Sequence, residues 1–492
     1  MPRLSAALTL PDGVAAPGYV PADHGCGIVH LGLGAFHKAH QAVYTDDALA
    51  LDGGDWRITG VSLRSTGAVE ELAPQDCRYT LIEQGEGAPQ ARVIASIARA
   101  LSGATDIAAI RAALADPATR IVSLTVTEKA YGIERTTGGA DPAHPSVAAD
   151  LRAPDQPTGV LGLLVQALGA RRAAGIAPFT VLCCDNLPEN GAMLRGGVID
   201  FARRTDPDLA GWIREAVAFP STMVDRITPA QTEKTRAEAL RLTGAEDHAA
   251  IETEPFTQWV IEDRFTAGRP AWEKAGAIFV ADVAPYEKMK LRMLNGTHSM
   301  LAYAGFLAGH RYVRDTMNDA ALARLIRRHL GAAAATLAPL PGIELAGYAA
   351  QLQERFANPA IAHETYQIAM DGTQKLPQRL LAPALETLGA GAPLRPFAFA
   401  VAAWMRYCLG RSDTGENYAL RDPMEAEISS RLRGLDNAAA IIDSLSTLPG
   451  LMPPALAGAS AWQEPLNDIL ARMLRDGVGQ AIAREAELAE TD

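Results

Sequence analysis

The chain is poor in cysteine. Five residues of 492 (Cys26, Cys77, Cys183, Cys184 and Cys408) make an odd set with no C-x-x-C pair. That pattern excludes a disulfide framework and a zinc ribbon, and it implies a reducing compartment. Positive charge is also scarce: 45 Lys and Arg stand against 57 Asp and Glu, a formal net charge of −12. Such a balance argues against nucleic acid and against an anionic membrane as partners. It leaves room for a small anionic substrate in a local cationic pocket. No apolar run is long enough to span a bilayer. The N-terminal stretch carries prolines and acids where a signal peptide needs an apolar core. A cytoplasmic location is the expectation.

The rest of the composition is that of a globular protein, 48% hydrophobic and 21% charged. The length is too great for one core and implies two domains, or three. Residues 28–31 read as a short buried strand. Gly32 and Gly34 follow, at the spacing that lets a backbone approach a pyrophosphate where a helix begins. The usual third glycine is missing and His37 stands in its place. Gly32, Leu33, Gly34, Ala35 and Phe36 are therefore candidate cofactor contacts, the alternative being a plain strand-to-helix turn. A helix is expected over 36–51. It holds His37 and His40 at i, i+3, but no third ligand is near, so no metal site is expected.

The run RITGVSLR at 57–64 reads as the next strand. It ends without the acid that would hold the ribose 2′-hydroxyl of NAD. Arg64 could accommodate a 2′-phosphate or stack on adenine, so NAD is expected with NADP an open alternative. Strands are also expected over 79–83, 91–96, 120–127 and 179–184, with helices over 106–114 and 160–174 and a loop over 132–155. Strands alternating with helices predict an α/β fold, a doubly wound sheet of Rossmann type. Its ligands bind at the carboxyl ends of strands, where Gly32, Glu128 and Asn186 fall. The segment 219–229 reads as a polar turn with Asp225 beside Arg226, and further strands are expected over 259–264 and 277–281.

From residue 286 onward the chain is Ala- and Leu-rich with helical periodicity. A boundary near Pro285 gives a dinucleotide-binding domain over 1–285 and a mostly α-helical substrate-binding domain over 286–492. The second opens on EKMKLRMLNGTHSMLAY at 287–303, a helix expected to line the cleft between the two. On a regular α-helix Lys290, Asn295 and His298 fall within an arc of ~140°. An amine, an amide and an imidazole on one patch of a buried helix are costly unless used. A buried lysine with a lowered pKa can move the proton that accompanies hydride transfer at a carbon bearing oxygen. Asn186 and Asn295 can donate to the developing alkoxide, and His298 can orient the substrate oxygen.

The segments GLGAFHKAHQ at 32–41, CDNLP at 184–188, MVDRI at 223–227, GRP at 268–270 and KLRMLNGTH at 290–298 resemble the mannitol dehydrogenase family, the long-chain, metal-independent polyol dehydrogenases. The resemblance spans both domains. It implies Lys290 as general acid/base, Asn186 and Asn295 as the oxyanion pair, and His298 as a substrate-orienting group. It also implies auxiliary roles for Asp225 and Lys375, and for Glu287 in passing the proton to solvent. Within the family, EPFTQWVIED at 254–263, QIAMDGTQKLPQR at 367–379 and WMRY at 404–407 are most similar to the branch that interconverts a keto-uronate and an aldonate, D-fructuronate and D-mannonate. Gln367 stands where the mannitol enzymes carry a sugar-binding arginine. A uronate carboxylate needs a cationic partner, and Lys375, Arg379 and Arg292 are the candidates. Mannitol or arabinitol dehydrogenation is the alternative, and a dinucleotide-binding sensor without chemistry is the alternative of another class. The expected partner is a small sugar acid or polyol, and the expected assembly a monomer or small homo-oligomer.

Overall fold

The computed structural model describes residues 1–85 and 87–490. The chain divides into two compact units, Met1–Ala284 and Pro285–Asp492. In the first, five strands form an all-parallel sheet: β1 (Cys26–Leu31), β2 (Arg57–Ser62), β3 (Ile97–Ser102), β4 (Ile121–Leu124) and β5 (Thr180–Cys183). They lie in the order β3-β2-β1-β4-β5. The order reverses beside β1, which creates a crevice at the carboxyl ends of β1 and β4. The strands are short, β-branched and buried on both faces, as a parallel sheet requires. One face packs on Leu114, Leu164, Leu168, Val198 and Phe201. The other packs on Ala42, Leu49, Tyr79 and Trp259.

The doubly wound sheet is thus the architecture expected from sequence, but not every strand belongs to it. Residues 79–83 and 90–94 form a separate small sheet, in which Tyr79–Glu83 and Gln90–Ile94 pair antiparallel. A third sheet joins Ile278–Val280, Gln258–Glu262 and Thr222–Asp225. The segment 219–229 is therefore not a polar turn: it contains a buried strand antiparallel to Gln258–Glu262. The expected loop over 132–155 contains the helix Pro145–Arg152, begun by a proline at its first position. Strand β3 has no counterpart among the sequence expectations. Its exposed Arg99 and small Ala98 and Ala100 mute the apolar signal of an edge strand.

The second unit is helical throughout. At its centre the helix Arg395–Tyr407 is buried along its whole length except Arg395. Phe397, Trp404 and Trp462 are fully buried or nearly so. The segment expected as one helix over 287–303 is three pieces: an α-helix Ala284–Met289, a π-helical turn Lys290–Asn295 and an α-helix Gly296–Leu307. A second π-turn covers Pro377–Leu381.

Both units bury neutral histidines. Burial lowers His30 to about 3 and His329 to about 4, and holds His37 and His298 well below 6.5. The unfolded chain protonates these imidazoles below about 6.5 while the native state does not, so the unfolded state binds more protons and native stability falls with acid. Asp46 acts oppositely: burial raises its carboxyl to about 6, so near pH 5 the native state keeps a proton that the unfolded state releases. The histidines outnumber it. Denaturant titrations from pH 7 to pH 5 should show stability falling, at about 1.4 kcal/mol per pH unit for each net proton taken up on unfolding.

Candidate active site

At the carboxyl end of β1 the backbone turns through Gly32 at φ +105°. A Cβ at Gly32 would collide with the carbonyl of Thr125, so the turn needs glycine both for its conformation and for its packing. Gly34 is different. A Cβ there would meet nothing closer than Gly32 O at 3.8 Å, so its hydrogen faces open space. That space is a cavity of about 310 Å³ lined by Gly32, Leu33, Gly34, Arg64, Thr127 and Lys129, among others. The helix that follows is short, Ala35–Ala39, and the chain bends at His40 (φ −123°, ψ −92°) before Gln41–Asp52 begins. The single helix expected over 36–51 is therefore two. Phe36 stacks on His40 at 4.9 Å. Arg64 is exposed at the cavity wall.

Two residues to which the sequence assigned no role hold this turn. His30, buried in β1, places Nε2 2.8 Å from Thr125 Oγ1 and Nδ1 2.8 Å from Ser123 Oγ. Its ring stacks on His37 at 3.5 Å. Both are neutral because burial disfavours their charge, and His37 packs face to face on His30 as an aromatic plate. The other is Asp185, after β5. Its carboxylate accepts from Val126 N at 2.9 Å, from Thr127 N at 3.3 Å and from Tyr131 Oη at 2.6 Å. Thr127 is held at φ +72° between those bonds, a conformation that a β-branched residue rarely adopts. Glu128 begins the short helix Glu128–Tyr131 and pairs with Arg135.

Asn186 follows Asp185 and is exposed. Asn190 fixes the neighbouring backbone: its amide donates to Asp185 O and to Thr222 O, both at 2.9 Å, and accepts from Thr222 N at 3.0 Å. The loop after β5 is thereby tied to the strand that ends in Asp225. Asp225 and Arg226 are both buried, and Arg226 bonds Glu83, Ala39 O and Glu254 O. A surface Asp–Arg pair is not what this segment contains.

In the helical unit the π-turn changes the geometry expected of Lys290 and Asn295. A π-turn bonds i to i+5. Residues five apart therefore come close to one face, where a regular α-helix would set them ~140° apart. Lys290 is buried, Asn295 is half-buried, and His298 lies one turn into the following helix. Lys290, Arg355, Arg379 and His363 all disfavour the imidazolium of His298, which desolvation already opposes. The His298 and His363 rings meet edge to face at 5.5 Å, and Phe356 lies 4.7 Å from His298. His363 and Arg355 were not singled out from sequence. They lie about sixty residues further along, with no local motif to mark them. Glu287 is half-buried, one turn before Lys290.

The three candidate cations have different fates. Arg379, on the second π-turn, reaches Ser299 Oγ at 3.3 Å and Asn295 O at 3.5 Å and meets no carboxylate among the described residues. Burial pushes its guanidinium down from the usual range. Lys375 donates to Met370 O at 2.5 Å and to Ile368 O at 3.4 Å, and lies 3.8 Å from Asp371. Arg292 is not available to a substrate. It is buried and grips Glu386 with both terminal nitrogens, at 2.7 and 2.6 Å, and donates to Thr336 O at 3.1 Å. Among the described residues no group of three His, Cys, Asp or Glu could hold a metal ion, and no helix is long and apolar enough to cross a membrane.

A glycine turn at the crevice of a parallel sheet is a dinucleotide-type site, and here a helical unit with a buried lysine follows it in the chain. Residues 26–274 match the mannitol dehydrogenase Rossmann domain and residues 282–448 the mannitol dehydrogenase C-terminal domain. The chain belongs to the mannitol dehydrogenase family. It is 45% identical to the D-mannonate oxidoreductase of Escherichia coli (strain K12), over 84% of this chain and 87% of that protein. It is 38% identical to the mannitol 2-dehydrogenase of Pseudomonas fluorescens, solved as a ternary complex with NAD and D-mannitol, with a TM-score of 0.80 over 99% of this chain and 100% of that one. A D-sorbitol dehydrogenase solved in substrate-free form aligns with a TM-score of 0.91 at 34% identity, covering 98% of this chain and 100% of that one.

The two glycines should respond differently to substitution. Gly34→Val is expected to leave the melting temperature within a few degrees of wild type while weakening NADH binding by calorimetry at least ~10-fold, since the added side chain enters the cavity. Gly32→Ala is expected to destabilise the fold itself, by ~1–3 kcal/mol in urea titration, through strain and the clash with Thr125.

Proposed function

We propose that this protein reduces a keto-uronate to an aldonate with a nicotinamide dinucleotide, D-fructuronate and D-mannonate being the pair. The observation that carries the proposal is Arg379. A guanidinium taken largely out of water with no carboxylate beside it costs several kcal/mol. A substrate carboxylate would offset that cost by a bidentate, charge-assisted pair. Lys375, whose ammonium burial and Arg379 both disfavour, adds a second donor to the same neighbourhood. The 45% identity to a D-mannonate oxidoreductase supports the same substrate class.

The cofactor fits the cradle at Gly32, Leu33 and Gly34, where only glycine leaves the backbone uncovered, with Ala35 and Phe36 opening the helix beyond and Arg64 and Glu128 on the flanking segments. When bound there it supplies the hydride. NAD is the proposed form. Arg64, exposed and without an acid at the end of β2 to oppose a 2′-phosphate, keeps NADP as the comparison to measure.

Lys290 gives its proton to the carbonyl oxygen during reduction and takes it back during oxidation. Asn295 and Asn186 donate to that oxygen as negative charge develops on it. His298, held neutral, orients the substrate through a ring nitrogen without adding a competing charge. Glu287 returns the proton to solvent, and Asp225 has an auxiliary role. Oxidation of a polyol such as mannitol or arabinitol is the second reading, favoured by the likeness to the mannitol 2-dehydrogenase complex.

Lys290→Ala should lower kcat by at least ~10² with NADH affinity nearly unchanged, as befits a positioned proton donor. Retention of more than about a third of wild-type kcat, with chemistry rate-limiting, would remove Lys290 from the role. For the substrate, kcat/KM for fructuronate is expected to exceed that for fructose by at least ~10². Arg379→Ala should close most of that gap by lowering the fructuronate value. A preference for fructose in the wild type would promote the polyol reading.

A further inference from the structure

The helical unit holds a second cavity whose lining the proposed reaction does not use. It measures about 640 Å³ and lies against one face of the helix Ala320–Ala335. Arg324, Arg327 and Arg328 stand on that face at i, i+3 and i+4. Ala332, Pro393 and Pro396 are among the small apolar residues that keep the cavity open. Two of the arginines already have carboxylate partners: Arg324 pairs with Glu490 at 2.6 Å, and Arg328 reaches Glu485 at 3.3 Å. Glu485 is also gripped by Arg395 at 2.6 Å, so its charge is already matched. Arg327, exposed between them, has no carboxylate partner among the described residues. An apolar pocket with a surplus guanidinium at its mouth selects an apolar body carrying one anionic group.

The cavity also touches the catalytic segment at one remove. Glu386 and Thr336 both line it, and these two groups hold Arg292. Arg292 is the middle of the π-turn that carries Lys290 and Asn295. Arg292, and Lys288 beside it, hold the Glu386 carboxyl down at about 2, so it is charged at neutral pH. An occupant packed on Thr336 and on the stem of Glu386 would restrict the clamp and, through it, the π-turn.

We propose that this cavity is a binding site for a small organic anion with an apolar body, and that its occupancy is coupled to the π-turn through Glu386 and Arg292. The binding itself does not depend on the substrate assignment, and the experiment reads it without substrate. The probe is 1-anilinonaphthalene-8-sulfonate, titrated by fluorescence into the full chain at saturating NADH, which blocks the cofactor cradle. One saturable site is expected. Arg327→Ala should raise its Kd at least ~10-fold, Arg327→Lys should raise it less, and Ala332→Trp should abolish it by filling the cavity. Arg327 is exposed, so its variants keep the test available even if Ala332→Trp fails to fold. Saturating the probe should slow deuterium exchange of the amides over 290–295. Titrations of Arg327→Ala and of folded Ala332→Trp that superimpose on wild type would overturn the site. Unchanged exchange over 290–295 at full saturation would overturn the coupling.

Discussion

The π-turn Lys290–Asn295 is the constraint on which the helical unit depends. Widening a helix to i→i+5 bonding sacrifices regular geometry and is seldom tolerated without an external tie. Here the tie is Arg292, drawn to Glu386 on one side and to the carbonyl of Thr336 on the other. Thr336 ends the helix Ala320–Ala335, so the guanidinium also meets the negative end of a helix dipole. The same distortion brings Lys290 and Asn295 toward one face. The second π-turn, Pro377–Leu381, approaches closely enough that a Cβ on Gly296 would lie 2.9 Å from Arg379 O. The glycine after Asn295 is thus what lets Arg379 lie along the lysine-bearing helix.

Electrostatics in that unit follow from burial before they follow from pairing. His298 sits among Lys290, Arg355 and Arg379, and desolvation is the largest influence on it. Its neutrality keeps the neighbourhood from gathering one more positive charge. In the sheet-bearing unit the neutral stack of His30 on His37 serves another end. It fills the space under the glycine turn with flat, polarisable rings, of which His30 bonds to Thr125 and Ser123.

The parallel sheet was legible because its strands are short β-branched runs closed by glycine or polar turns, and β1, β2, β4 and β5 stand within a few residues of where the sequence put them. The edge strand β3 was not, since Arg99 and its alanine neighbours carry little hydrophobic alternation. Periodicity also could not assign Tyr79–Glu83 or Gln258–Glu262 to separate sheets, because pairing direction is a tertiary property. In the helical unit the motif at 290–298 was visible, but its geometry was not. The carboxylate that ties Arg292 is Glu386, ninety-four residues away, and no local pattern encodes that distance. His363 and Arg355 were hidden for the same reason.

Asp185 gathers three donors, from Val126, Thr127 and Tyr131, and so pins the loop beyond β4 from inside the fold. The opposite wall of the same cavity, at Ser62, Leu63, Arg64 and Ser65, is held at both ends by the segment after β3: Ser62 O accepts from Gly103 N at 2.8 Å and Ser65 O accepts from Ser102 Oγ at 3.0 Å, while the Arg64 side chain is exposed. Both walls of the cradle are thus fixed through their backbones, and the exposed Arg64 side chain is a part that can be exchanged while the glycine turn and its supports stay as they are.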